Sequence, residues 1–233
     1  MSDFSIISIV SLALVDAVNP CALAVIAIVL MTVLLSNPKE KRKALWSGLA
    51  FSLAVYILYF LYGLIMVQFF SNVIPETGSY SFYIFRAFGL FAIILGLLNI
   101  KDFLFYEPGT VGTEMPLSLR PKMKRLVKKI NSPRGAFVVG IFVTLFLLPC
   151  TIGPYIIASG KLSVLNFFST VLWLLLYNII FILPMVGITF IIYLGLLSVD
   201  KFSDWRKQNI RYLHLIEGSI LIIIGILMVS GLI

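Results

Sequence analysis

Polar chemistry is scarce in this sequence. Of 233 residues only 12% are charged, Asp and Glu together number 10, His occurs once and Cys twice, while 61% are apolar. So little charge excludes an ordinary soluble domain, because there is not enough polar surface to cover one. The absence of any Cys-x-x-Cys excludes a thioredoxin-like module within the chain. The single His214 leaves a metal site short of ligands, so neither a metal nor any other cofactor is expected. What is abundant is uninterrupted hydrocarbon, in runs longer than the roughly 20 residues that span a bilayer. The chain reads as an all-α, polytopic integral membrane protein. Before Asp16 the only charge is Asp3. Without a basic n-region, and longer than a signal-peptide core, the first run is expected to be a retained helix.

Six spans are predicted, at about Phe4–Leu35, Ala44–Phe70, Phe82–Ile100, Gly135–Ala158, Leu165–Leu197 and Ile210–Leu232. The first is long enough to tilt or break. All lie in one transmembrane domain, divided into a first part over about 1–101, a connecting segment over about 102–134 and a second part over about 135–233. In that segment Met123, Leu126, Val127 and Ile130 recur at helical spacing among Lys122, Lys124, Arg125, Lys128 and Lys129. This pattern predicts a basic amphipathic helix lying on the lipid surface, held by apolar burial and anionic lipid.

Basic residues concentrate in alternate connections. Lys39, Lys41, Arg42 and Lys43 follow span one. Lys101, Arg120, Lys122, Lys124, Arg125, Lys128, Lys129 and Arg134 follow span three, and Lys201, Arg206, Lys207 and Arg211 precede span six, whereas the opposite connections hold only Arg86 and Lys161. Positively charged loops stay in the cytoplasm, which predicts both termini outside. The net charge of +8 is therefore a topology signal, not a nucleic-acid footprint.

Each of the two cysteines directly follows a proline inside an apolar run, in Asp16-Ala17-Val18-Asn19-Pro20-Cys21-Ala22 and in Leu148-Pro149-Cys150-Thr151-Ile152-Gly153-Pro154. Proline lacks an amide and clashes one turn back, so it breaks or kinks a helix interior. In hydrocarbon such breaks persist only where protein or a wet cavity re-satisfies the backbone. Asn19 suits an N-cap and Pro20 the first helical position, which would place Cys21 in the first turn of a new helix, where the helix dipole favours thiolate. Leu148 offers no side-chain cap for the second motif.

The motifs are 129 residues apart, and so are Gly89 and Gly218, and Gly96 and Gly225, within similar stretches of span three and span six. Three spans per copy reverse the second copy across the membrane. The expected fold is thus six transmembrane helices in two inverted three-helix repeats, with spans one and four broken at Pro-Cys and meeting near the midplane. Buried cysteine is often only a small hydrophobe, but matched Pro-Cys positions argue for a redox pair. Ala22, Ala24 and Gly153 leave room for the short Cβ–Cβ approach a disulfide needs, and exchange requires that one sulfur be reachable from water.

The Asn-Pro-Cys-Ala and Leu-Pro-Cys-Thr motifs, one cysteine in each of spans one and four, and the two inverted halves resemble the CcdA family, the membrane domain of DsbD-type thiol-disulfide reductants, over essentially the whole chain. The resemblance implies a prokaryotic cytoplasmic-membrane protein that passes two electrons from cytoplasmic thioredoxin to an extracytoplasmic thioredoxin-like protein, supporting cytochrome c maturation. It implies that Cys21 and Cys150 are the redox pair and that Pro20 and Pro149 shape their access. Unlike full-length DsbD, the chain has no flanking periplasmic domains, so carriers on both faces would be separate proteins.

Among the remaining polar residues, Asp16 could tune the pair or hold two helices together, and Thr151 lies beside Cys150. Asn19, Pro20, Pro149 and Pro154 are assigned to helix breaking and access. Tyr177 and Asn178 are expected to satisfy carbonyls around Pro184, while Arg86, His214 and Glu217 are expected to snorkel at span ends. Two rival readings remain. A small-solute or ion transporter uses similar inverted repeats but should crowd its midplane with polar groups, and a structural subunit would carry inert thiols.

Overall fold

The computed structural model describes the backbone of residues 2–36, 40–73, 79–106, 118, 120–127, 130 and 132–231, and the side chains among these except those of 2–8, 20, 73, 79–82, 84, 85, 120, 123, 124 and 146–152. The helices are α1 (Ser2–Ala17), α2 (Pro20–Ser36), α3 (Lys41–Val73), α4 (Ser79–Leu104), α5 (Arg120–Val127), α6 (Pro133–Leu162), α7 (Phe167–Tyr193) and α8 (Val199–Val229). Among the described residues four stretches are long and apolar enough to cross a membrane, Lys41–Asn72, Arg86–Leu104, Phe167–Tyr193 and Val199–Val229, and the pair Ile9–Ala17 and Cys21–Ser36, bent by 44°, makes a fifth when taken as one span. The chain is a multi-pass membrane protein. Along α3, Leu53, Ile57, Leu61 and Ile65 form an outward stripe at i, i+4 spacing, the surface a bilayer requires.

The break between α1 and α2 follows from local chemistry. Pro20 has no amide to give the Asp16 carbonyl, which accepts from Asn19 N at 3.2 Å instead. Asn19 then starts the next helix twice over: its side chain accepts from Cys21 N at 2.9 Å and its carbonyl from Leu23 N at 3.3 Å.

The second Pro-Cys motif behaves differently. α6 is helical without interruption through Pro149, Cys150 and Pro154, so the expected break of span four is corrected. Its N-cap lies far upstream, where Ser132 accepts from Gly135 N at 3.2 Å with Pro133 in the first turn. Leu148 precedes Pro149 where Asn19 precedes Pro20, and leucine has no oxygen with which to start a new helix. The sixth helix also begins earlier than Ile210, at Val199, because Ser198 caps it and Asp200 sits in its first turn.

Polar anchors show that the connections after α2, α4 and α7 share one end. Leu34, Leu35, Lys41, Tyr193 and Ser198 line a single cavity of about 460 Å³ there. Arg211 of α8 donates to the carbonyls of Phe103 and Leu104 at the end of α4, at 2.7 and 2.9 Å. α5 lies at this end too. Its face is not given to lipid as expected, because Val127 and Ile130 are fully buried against the bundle, with α5 packed on α6 and α2. Pro121, Lys122 and Arg125 remain outward.

Apolar burial drives little helix association inside a bilayer, so close backbone approach and interhelical hydrogen bonds matter more. The largest contact, between α4 and α8, is built on glycine. A Cβ on Gly89 would lie 2.9 Å from the Gly225 carbonyl oxygen, and one on Gly225 2.6 Å from that of Gly89. Gly96 and Gly218 stand in the same relation, each 2.8 Å from the other's carbonyl. The partner of Gly89 is thus the counterpart of Gly96, and the partner of Gly96 is the counterpart of Gly89. Beyond these, His214 Nδ1 and Asn99 Oδ1 meet at 2.8 Å. Elsewhere α3 packs on α6 and α7, and α1 and α2 each contact α6.

Candidate functional site

Cys21 sits at the bend, 8% exposed, in the first turn of α2. Ala17, Asn19, Ala22 and Leu23 around it are buried. α2 packs on α3, α7 and α8, and the helices of the bent pair both contact α6, the helix that carries Cys150. The side chains of Pro149, Cys150 and Thr151, and that of Pro20, lie outside the described residues. Pro154 is buried within a continuous helix and does not break it. Gly153, expected to leave room for the thiols, instead faces the Leu95 side chain of α4.

Asp16 is fully buried one turn before the break. The Tyr177 hydroxyl of α7 donates to its Oδ2 at 3.1 Å and lies 3.5 Å from the Leu12 carbonyl oxygen, while Oδ1 has no partner. Tyr177 therefore joins α7 to α1 and does not serve the Pro184 kink. Nor does Asn178, which donates to the Leu174 carbonyl at 2.7 Å and to the Tyr155 hydroxyl oxygen at 3.4 Å. Tyr155 of α6 in turn donates to the Tyr59 carbonyl of α3. Gly63 is glycine where it is because a Cβ there would strike the Tyr155 hydroxyl.

An aromatic wall backs this polar line. Tyr59 stacks on Phe181 at 4.6 Å, and Tyr155 meets Tyr59 and Tyr177 edge-on at 5.5 and 5.2 Å. All four rings are buried. Offset and edge-on aromatic packing of this kind fixes rings firmly, so the hydroxyls of Tyr155 and Tyr177 are held in place.

The residue that sequence reasoning misplaced is Glu217. It does not snorkel: it is 2% exposed in the middle of α8, its Oε2 has no partner among the described residues, and α8 packs on both α1, which carries Asp16, and α2, which carries Cys21. His214, one turn away on the same helix, is fully buried as well. The signal was present, since a carboxyl embedded in an apolar run carries a functional presumption. It was obscured because Glu217 falls near the start of the span when that span is begun at Ile210.

The site therefore assembles a thiol in the first turn of a capped helix, two buried carboxyls from α1 and α8, and two buried phenols from α6 and α7. Such an arrangement can hold a thiolate, supply or remove a proton, and exclude bulk water. The sequence profile of the cytochrome c biogenesis protein transmembrane region matches residues 8–227. No curated protein and no solved structure gives a match.

Proposed function

The chain belongs to the cytochrome c biogenesis transmembrane family, and from that premise we propose that it moves reducing equivalents across the cytoplasmic membrane of a prokaryote by thiol-disulfide exchange at Cys21 and Cys150. The observation that carries this reading is the placement of Cys21, buried at a capped helix break on a helix pair that packs against the helix bearing Cys150. On this reading the basic end of the bundle is cytoplasmic and both termini are outside. The inverted three-helix repeat is supported by the reciprocal glycine crossing and by the pairing of α3 with α7 and of α1 and α2 with α6.

In the oxidised protein Cys21 and Cys150 form a disulfide. A thiolate of reduced cytoplasmic thioredoxin attacks one sulfur, the internal S–S bond breaks, and a mixed disulfide forms. The second thioredoxin cysteine displaces that sulfur, so thioredoxin leaves oxidised and the two chain cysteines are left reduced. An extracytoplasmic thioredoxin-like protein presenting a disulfide then takes the two electrons by the same exchange in reverse. Each step runs down a difference in reduction potential, about 30 mV corresponding to ~1.4 kcal/mol for two electrons, and needs no ATP. One break, at α1 and α2, supplies the bend at which access changes, while continuous α6 serves as the fixed wall.

Transport of a small solute or ion is a second reading, favoured by one observation: the buried Glu217 adds a second carboxyl to Asp16 in the interior. Thiol trapping separates the two. Purified protein is alkylated with a heavy maleimide before and after reduced thioredoxin and its reductase are added, with Cys21→Ala and Cys150→Ala as controls. The redox reading expects no labelled cysteine before and two after. If both cysteines label under oxidising conditions, or neither does after thioredoxin, the redox reading falls and transport takes its place.

A further inference from the structure

Thiol-disulfide exchange moves protons as well as electrons, because each sulfur released as thiolate must become a thiol and later give that proton back. In bulk water the solvent does this. Around Cys21, which is 8% exposed among buried Ala22, Leu23 and Asn19, water has little access, and a protein group must serve.

Glu217 has the required placement. Its side chain is 2% exposed, Oε2 makes no hydrogen bond among the described residues, and its helix α8 packs on α1, which carries Asp16, and on α2, which carries Cys21 in its first turn. A buried carboxyl oxygen without a partner costs stability, so its presence at this position calls for a use. Asp16 is less suited to the task, since its Oδ2 is engaged by Tyr177. Titratable groups on the helices packed against α8 include Asp16 of α1 and Cys21 of α2, and His214 lies on α8 itself. At i and i+3, His214 and Glu217 share one helix face, with His214 nearer the basic end. His214 is fixed by Asn99 of α4 at 2.8 Å, and buried Asp102 lies one turn further along α4. Tyr177 of α7 reaches the cluster through Asp16.

Resting on the thiol-exchange reading, we propose that Glu217 is the proton carrier for Cys21, refilled from the basic end by way of His214. When a dithiol protein reduces the Cys21–Cys150 disulfide, the S–S bond breaks, the sulfur of Cys21 leaves with the bonding electron pair, and the Glu217 carboxyl gives it a proton. The carboxylate regains one from His214. When the reduced pair later attacks an outer disulfide, Glu217 first gives its proton back to the basic end through His214 and then takes the proton of Cys21, so the cycle closes with two electrons passed on and no proton gained or lost at Glu217.

The test is the rate at which reduced thioredoxin with its reductase reduces the protein in proteoliposomes, read by maleimide gel shift from mildly acidic to mildly alkaline pH. Wild type, Glu217→Gln and Glu217→Asp are compared, with thermal unfolding in detergent as the folding check. General acid–base assistance is typically worth at least about a hundredfold. Glu217→Gln is expected to slow reduction by at least about tenfold and to leave only the pH dependence of the attacking thiol, while Glu217→Asp recovers most of the rate and the original profile. A wild-type rate and profile in Glu217→Gln overturns the proposal and leaves the exchange reading intact. So does a Glu217→Asp protein that is folded yet as slow and as flat as Glu217→Gln, which would make the residue one of shape alone. If wild type itself is not reduced by thioredoxin, the exchange reading is what fails, and this proposal goes with it.

Discussion

Asn19 acts at three atoms within one turn: its amide takes up the Asp16 carbonyl, its side chain holds Cys21 N, and its own carbonyl begins α2. Asn19→Ala removes the middle contact and is expected to destabilise the protein by about 1 kcal/mol, with Asn19→Ser restoring most of that. Differential scanning measurements in detergent check the stability, and faster alkylation of reduced Cys21 in the alanine variant checks that the turn has loosened. Tyr177→Phe strips Asp16 Oδ2 of the Tyr177 hydroxyl and is expected to cost about 1 kcal/mol. Because Asp16→Asn disturbs the same contact, the double variant should cost less than the sum of the two singles, which a double-mutant cycle reads directly. The cap was legible in the sequence because Asn19 and Cys21 are two residues apart. The Asp16–Tyr177 bond was not, since its partners are 161 residues apart and either residue has an ordinary local use. Glu217 was hidden for a related reason: its depth depends on where α8 starts, and α8 starts at a serine cap a dozen residues before its apolar run.

Helices with the same motif need not share its geometry. Pro20 ends α1 because an asparagine stands before it, whereas Pro149 and Pro154 are carried inside α6. Proline alone was too weak a signal to predict a break; proline with a cap was sufficient. Glycine gives the corresponding test at the helix contacts. Gly225→Ala places a methyl against the Gly89 backbone, which cannot give way, and is expected to cost about 1–3 kcal/mol and to loosen α4 from α8. Gly187→Ala meets nothing within 4 Å inside α7 and is expected to be neutral or to stabilise by up to about 1 kcal/mol. Unfolding midpoints of the two proteins, measured side by side, should move in opposite directions or differ by most of that range.

At the scale of the whole molecule, composition was enough to identify a multi-pass helical membrane protein, because an apolar fraction this high leaves no soluble alternative. The placement of basic residues went further and predicts which end faces the cytoplasm. In a background with both native cysteines replaced by alanine, Leu35→Cys should react with a membrane-impermeant maleimide only in inside-out vesicles, and Phe167→Cys only in right-side-out ones; both positions are highly exposed, at 75% and 74%. The reverse pattern would invert the topology. Sequence pattern also indicated a basic amphipathic segment before α6, but not that it would fold back on the bundle, because a face that fits lipid also fits the ends of helices.

On the inverted-repeat reading, the crossing of α4 and α8 has a meaning in terms of descent. Gly89 meets the counterpart of Gly96, and Gly96 the counterpart of Gly89, so the contact reads the same from either helix. That is the form of an interface between two copies of one chain related by a twofold axis, where residue i touches j and j touches i. A half-length ancestor could have made this contact with itself, one copy inserted each way across the membrane, before a duplication joined the two genes. On that history the glycines are older than the difference between the two halves, and the asparagine cap before Pro20, with leucine in its place before Pro149, is what has changed since the copies were joined.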